Sequence, residues 1–160
     1  MTTLQRCLEF LDRNRIRYAH TGHPVAYTAL EVAAAEHLPA ARMAKTVVFF
    51  TDREGYGMAV VAADSLVDLE ALKYITGAHH IRLATETEIG RLFRESELGA
   101  MPPFGTLFDM PVFVDQEVAA NPAMAVNAGT HRDVIHMSFP DFRRLVEPRI
   151  ASFARKMVAV

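Results

Sequence analysis

Two apolar runs constrain the fold more than anything else in the chain: "KTVVFF", from Lys45 to Phe50, and "GMAVVA", from Gly57 to Ala62. β-Branched and aromatic residues favour strands, and the intervening "TDREGY" is turn-forming, so the pair predicts an antiparallel hairpin. The runs are nearly continuous rather than alternating, which requires cover on both faces of the sheet they join. A chain of 160 residues can supply that cover, since a domain of this size buries roughly two thirds of its unfolded surface.

Helices of the right character flank the hairpin. Leu4, Cys7, Leu8 and Leu11 recur at helical spacing behind a Thr2-x-x-Gln5 capping box, so the chain opens with an amphipathic helix that ends near Asn14. In "HPVAY" Pro24 forbids helix, whereas Thr28-Ala-Leu-Glu31 starts one that runs through Leu38 and stops at Pro39. Asp68 caps a helix carrying Leu69, Leu72 and Ile75, closed by Gly77, and Thr85 to Glu88 starts another, carrying Ile89, Leu92 and Phe93.

Strand candidates follow: "HIRLA", then "TLFD", "PVFVD", "AMAVNAG" and "DVIHMS", before a last helix from Ser138 that Pro148 interrupts. Hairpin-like connections between them predict an α+β fold with a mixed, mostly antiparallel sheet, formed by residues 1–160 as a single domain. No glycine-rich phosphate loop follows a strand, so neither a Rossmann nor a P-loop reading has support.

Several function classes are excluded or disfavoured. No apolar run approaches the roughly 20 residues of a bilayer span, and the amphipathic, partly acidic N-terminus is no export signal. The single cysteine, Cys7, fits a reducing cytoplasm. The net charge of −2 conceals a gradient, with basic ends and an acidic middle from residue 46 to 128. If the ends meet in the fold they make a local anion-binding patch, but the balance is not that of a protein tracking DNA. The serines lack a nucleophile-elbow context, and Cys7 lies on the buried stripe of its helix. Of the histidines, His20 and His23 are three apart, His79 and His80 adjacent, and His131 and His136 five apart. None forms a HExxH motif and there is no second cysteine for a Cys/His zinc site, so a metal site is disfavoured; a metal-dependent hydrolase would need His20, His23 or the His79–His80 pair to converge with a carboxylate.

Three segments remain: Lys45 at the mouth of its apolar strand, the rigid "GAMPPFG" from Gly99 to Gly105, and "NAGTHRD", where Gly129 and Thr130 offer backbone N–H groups beside His131. With "HPVAYTALEVAAAEHL" ahead of Lys45, and in this order and separation, they resemble the YbaK/EbsC family of aminoacyl-tRNA deacylases, similar to the editing domain inserted in bacterial prolyl-tRNA synthetases. The resemblance runs from His20 to about Val146. It implies a barrel-like sheet with surrounding helices and hydrolysis, in trans, of the ester joining a wrong amino acid to a prolyl-type tRNA, with no metal or organic cofactor. By motif, Lys45 would be the essential lysine, Gly99 and Pro103 would frame the loop gating the amino-acid pocket, and Gly129, Thr130 and His131 would form the opposing wall. Thr28, Thr46, Met101 and Phe104 are further substrate-contact candidates, with Met101 and Phe104 setting the size limit.

Ester hydrolysis needs a water, a place for the developing oxyanion and a fixed carbonyl, and no protein nucleophile. Lys45 suits a cationic anchor for the terminal phosphate or the ester oxygen. No base lies beside it in sequence, so activation of the water falls to the substrate's ribose hydroxyl. His131, as an imidazole with an ordinary pKa near 6.5, is the reserve base and is favoured in a positioning role. The partner is then the acceptor end of an aminoacyl-tRNA, free or in a synthetase–tRNA complex, contacted through Arg132, Arg143 and Arg144. A monomer is the default. The competing reading is a non-catalytic module that keeps the fold to bind a small molecule, a nucleotide or a protein.

Overall fold

The computed structural model describes residues 1–158. In chain order its elements are α1 (Thr3–Arg13), β1 (Tyr18–Gly22), α2 (Ala29–Ala35), β2 (Met43–Thr51), β3 (Gly55–Ala62), β4 (Ser65–Val67), α3 (Leu69–Thr76), β5 (Ile81–Leu83), α4 (Glu86–Leu92), β6 (Val112–Asp115), α5 (Gln116–Ala119), β7 (Ala123–Asn127), β8 (Asp133–Ser138), α6 (Phe139–Val146), β9 (Arg149–Ala151) and β10 (Ala154–Lys156). The main sheet has the order β1-β8-β7-β2-β3-β6-β9, with β5 also on β2, while β10 and β4 form a separate pair. Pairs β1–β8, β7–β8, β2–β3 and β2–β5 are antiparallel, and β2–β7, β3–β6 and β6–β9 are parallel. The class is therefore α+β, with a mixed and mostly antiparallel sheet.

The apolar hairpin is β2 and β3, in register from Ala44 opposite Ala62 to Thr51 opposite Gly55. Its two faces carry different cores, because successive side chains alternate across a strand. Ala44, Val48, Met58 and Val60 join the largest cluster, covered by Cys7, Phe10 and Leu11 of α1 and by Phe139 and Phe142 of α6. The opposite face meets α2 at one end, where Val32 and Ala33 pack on Met43 and Ala125. At the other end Leu72 of α3 packs on Phe49, Val61 and Phe113. Each fully buried Leu or Phe contributes about 1.5–3 kcal/mol, so the two-sided cover is what holds the sheet.

The capping signals translate directly into helix starts. Thr2 with Gln5 and Thr85 with Glu88 form complete capping boxes, and the Asp68 carboxylate accepts from the Ala71 N–H. Gly77 closes α3 at φ +70°, a left-handed conformation open to glycine at little cost.

Two expectations need correction. The second helix ends at Ala35 rather than Leu38, because His37 turns left-handed at φ +57° and the Leu38 N–H folds back onto the Ala33 carbonyl. "TLFD" is not a strand: Gly105–Leu107 forms a 3-10 turn, in which the Phe108 and Met110 N–H groups both donate to the Gly105 carbonyl. The short elements β4, α5, β9 and β10 have no counterpart in the sequence reading. The buried Asp115 carboxylate organises the last of them, accepting from Phe153 and Ala154 N–H at 2.9 and 3.0 Å.

Candidate active site

Lys45 lies near the start of β2, on the face shared by Met43 and covered by α2. It is half-buried, and its Nζ donates to the Ala63 carbonyl over 3.4 Å. Burial makes the charged form harder to hold and pulls the lysine pKa below its ordinary value, against a smaller opposing pull from Asp64. The parallel pairing of β2 with β7 sets Met43 opposite Ala125 and Ala44 opposite Val126, so Lys45 and Asn127 are the next residues along the two strands. Asn127 is buried, and its Oδ1 has no protein partner. A buried acceptor left unpaired is costly in a finished core, so it marks a place for water or ligand on the strand next to the one that carries Lys45.

Two residues beyond Asn127 the chain turns at Gly129, at φ +94°, and a Cβ there would lie 2.7 Å from Thr3 Cβ in the first turn of α1. The Gly129 N–H donates to the Ala100 carbonyl at 2.9 Å, and the Gly129 carbonyl accepts from Glu97 N–H at 2.8 Å. The proline loop and the "NAGTH" turn are thus stitched together. Gly99, at φ +86°, sits where a Cβ would meet the His131 ring at 3.5 Å. His131 N–H donates to Glu97 Oε2 at 3.1 Å, its ring packs against Tyr27 with centroids 5.0 Å apart, and its carbonyl accepts from Ala26 N–H. Residues 26–27, 97–100 and 129–131 therefore meet at the end of β7 where Lys45 also lies.

The turn is braced from below. Thr130 Oγ1 donates to Asp133 Oδ2 at 2.6 Å and accepts from the N–H groups of Arg132 and Asp133. His20 Nε2 lies 2.7 Å from Asp133 Oδ1 and so carries the proton. Burial works against ionisation of Asp133, but the Thr130 hydroxyl and the His20 ring together hold its carboxyl below the ordinary carboxylate value.

Other candidates from the sequence lie elsewhere. Phe104 is fully buried, with its ring 6.0 Å from that of Phe10 and 6.1 Å from that of Phe142. With Met101 it belongs to the cluster on the sheet face opposite Lys45. Phe104 is therefore a core anchor of the loop, not a surface against which an amino acid could rest. Pro103 is buried beside it. Thr46 follows Lys45 directly, and the strand pleat turns it to the other face. Thr28 is exposed and occupied as the cap of α2, accepting from Glu31 N–H and donating to Glu31 Oε1. Asn127, Tyr27, Glu97 and Asp133 were not singled out in the sequence; the only hint to Asn127 is its place in "NAGTH".

His23 is buried, its Nδ1 lies 2.6 Å from the Pro24 carbonyl and so carries the proton, and its Nε2 has no protein partner. Among the described residues no group of three or more His, Cys, Asp or Glu side chains is placed to hold a metal ion. Cys7 is buried in α1, and burial pushes its thiol up to about 12, leaving no thiolate for nucleophilic work. No helix among the described residues is long and apolar enough to cross a membrane.

Comparison with known proteins bears on the fold and the family. The structure superimposes on a proposed trans-editing enzyme for prolyl tRNA synthetase with a TM-score of 0.83 at 21% identity, over 97% of this chain and 98% of that one. The hypothetical protein APE2540 matches with a TM-score of 0.85 at 16% identity, over 94% and 99%. A proposed signal transduction protein from Marinobacter aquaeolei VT8 matches at 0.74 and 20%, over 96% of this chain but 31% of its own, so the same fold also occurs within a larger protein. Among curated proteins no sequence matches the chain. At these identities the structures speak for the fold, whereas the sequence itself matches the family model of the aminoacyl-tRNA editing domain over residues 23–145, a span holding Lys45, the proline loop and the "NAGTH" turn. The chain belongs to the aminoacyl-tRNA editing domain family.

Proposed function

We propose that the protein is a trans-acting hydrolase that removes a wrong amino acid from a prolyl-type tRNA by ester hydrolysis without a metal, with Lys45 anchoring the substrate. Deacylation of aminoacyl-tRNA in general follows from the family; the tRNA, the mechanism and the residue roles are our reading. The observation that carries it is a half-buried lysine on β2 and an unpaired buried acceptor on the adjacent β7, at the end of the sheet where the proline loop and the Gly129 turn are joined.

In this mechanism Lys45 pairs with the terminal phosphate or polarises the ester oxygen, where partial burial strengthens its field over that of a solvated lysine. The N–H groups of Gly129, His131, Arg132 and Asp133 already donate within the protein, so the backbone N–H groups of Gly99 and Thr130 are the ones that orient the carbonyl and receive the developing oxyanion. The ribose hydroxyl adjoining the ester activates the water, which adds to the carbonyl carbon as the ester bond breaks and the ribose oxygen takes up a proton. His131, held by Glu97 on one side and Tyr27 on the other, keeps the substrate in place. Gly99 and Pro103 set the loop backbone, and Thr130 fixes the opposite wall.

The test is a panel of tRNAs charged with alanine, cysteine, serine, threonine or proline, treated with the protein and with Lys45→Ala. Faster loss of at least one ester with the parent protein, abolished in a variant whose circular dichroism stays native, is the expected result. Undiminished turnover in the variant removes Lys45 from the mechanism. Spontaneous rates throughout with the parent protein, together with saturable binding of the same tRNAs, favour the non-catalytic module.

A further inference from the structure

The two basic ends of the chain do meet, at a distance from the site. The end of α1 and the segment joining it to β1 carry Arg13, Arg15 and Arg17, and the last turn of α6 carries Arg143 and Arg144. Asn14 and Ile16 share one surface depression with Arg144 and Leu145, so the two segments lie side by side. All five arginines are exposed. Asp12 and Asp141 are the acids within these stretches. Asp12 accepts from the Tyr18 hydroxyl at 2.8 Å, and Asp141 takes up Arg144 at 3.1 Å. Among the described residues Arg13, Arg15, Arg17 and Arg143 make no ion pair. The guanidinium of arginine suits phosphate geometry better than a lysine ammonium does, and four unpaired guanidiniums from two chain segments concentrate a positive field in an otherwise acidic protein.

Where the patch lies points to what it holds. Gly129 of the candidate site touches Thr3, the first residue of α1, and Arg13 is the last residue of the same helix. At 1.5 Å per residue the helix separates them by about 15 Å. A stacked nucleic-acid strand rises about 3.4 Å per nucleotide, so the gap is spanned by about four nucleotides. That is the scale of the unpaired 3′ end of a tRNA.

We infer that Arg13, Arg15, Arg17, Arg143 and Arg144 form a docking surface for the phosphate backbone of the acceptor-stem duplex while the aminoacyl terminus occupies the site beside Lys45. The inference rests on the proposed function, and two separate readouts keep them distinguishable. The first is binding of an uncharged RNA minihelix by fluorescence anisotropy as salt is raised, for the parent protein and for Arg13→Ala/Arg17→Ala/Arg143→Ala. The parent should bind with a steep salt dependence, and the variant should bind at least tenfold more weakly, with a log–log slope shallower by two to three, about one for each phosphate that is no longer neutralised. Equal affinity and slope overturn the docking surface, whether or not the protein hydrolyses anything. So does binding to phosphatidylserine vesicles in place of the minihelix.

The second readout is hydrolysis. For an aminoacyl minihelix the variant should raise KM with kcat unchanged, whereas for a short single-stranded aminoacyl oligonucleotide both constants should match those of the parent. A loss of equal size on both substrates assigns the arginines to the fold or the site and overturns the inference. Absence of hydrolysis by the parent on either substrate refutes the proposed function and leaves the binding comparison to decide on the surface.

Discussion

Replacing Phe104 with alanine separates a core anchor from a pocket wall. The side chain is 0% exposed, packed edge-on to Phe10 and tilted against Phe142. Phe→Ala in a core costs about 3–5 kcal/mol, and the upper half of that range applies because each of two aromatic contacts adds about 0.5–1.5 kcal/mol beyond area burial. For a chain of this length each kcal/mol lowers Tm by roughly 2–4 °C, so a fall of about 8–20 °C is expected. Urea unfolding should report the same loss through a lower midpoint at unchanged m-value. Phe104→Leu, which keeps most of the volume, should cost under about 1.5 kcal/mol. At a temperature where Phe104→Ala remains folded, the relative rates on different aminoacyl esters should equal those of the parent protein. A stability loss below about 1 kcal/mol together with altered amino-acid preference would refute the placement of this ring in the core.

Four further outcomes follow from the site. Because the Lys45 pKa is lowered by burial, the alkaline fall of kcat/KM, corrected for spontaneous hydrolysis, should begin below the ordinary lysine value of about 10.4, and Lys45→Arg should move it upward in whatever activity it retains. The same shift means that the native state binds fewer protons than the unfolded chain between the lowered and the ordinary value, so stability gains as pH rises through that window, and urea titrations of Lys45→Met should lack this gain. Gly129→Ala meets both a positive φ, at about 1–2 kcal/mol, and Thr3 Cβ at 2.7 Å; it should destabilise by more than about 2 kcal/mol and lower turnover more than a distant substitution of equal cost. Asp133→Asn removes a carboxylate whose folded pKa is depressed, so the variant should lose a stabilisation that the parent keeps at neutral pH and gives up only as pH falls through that depressed value, read by urea titrations at about pH 7 and below about pH 4.

Much of the architecture is legible because local chemistry decides it. Thr2, Asp68 and Thr85 cap helices in sequence and in space, and the β2–β3 hairpin joins neighbours in the chain. The elements that escape are three or four residues long, such as β9 and β10, and exist because Asp115 and β6 receive them rather than through any periodicity of their own. The site follows the same divide. Lys45, Gly99, Gly129 and His131 are visible as motif, whereas Asn127 acquires meaning only when β7 aligns with β2, a pairing that nothing local encodes. Phe104 misleads for a related reason: an aromatic on a rigid loop reads equally as wall or anchor until the cluster around Phe10 and Phe142 is known.

The pairing of Met43 with Ala125 joins residues more than eighty positions apart, and Ala100 reaches Gly129 across nearly thirty. Contacts of such long range carry a loop-closure cost before they return any stability and are intrinsically slow to form. A molecule that has made its local hairpin and helices but not the β2–β7 junction therefore holds Lys45 without Asn127 and the Gly129 turn at the end of the neighbouring strand. On the proposed roles such a molecule would not hydrolyse its ester, and discrimination between amino acids would not be left to a half-built pocket.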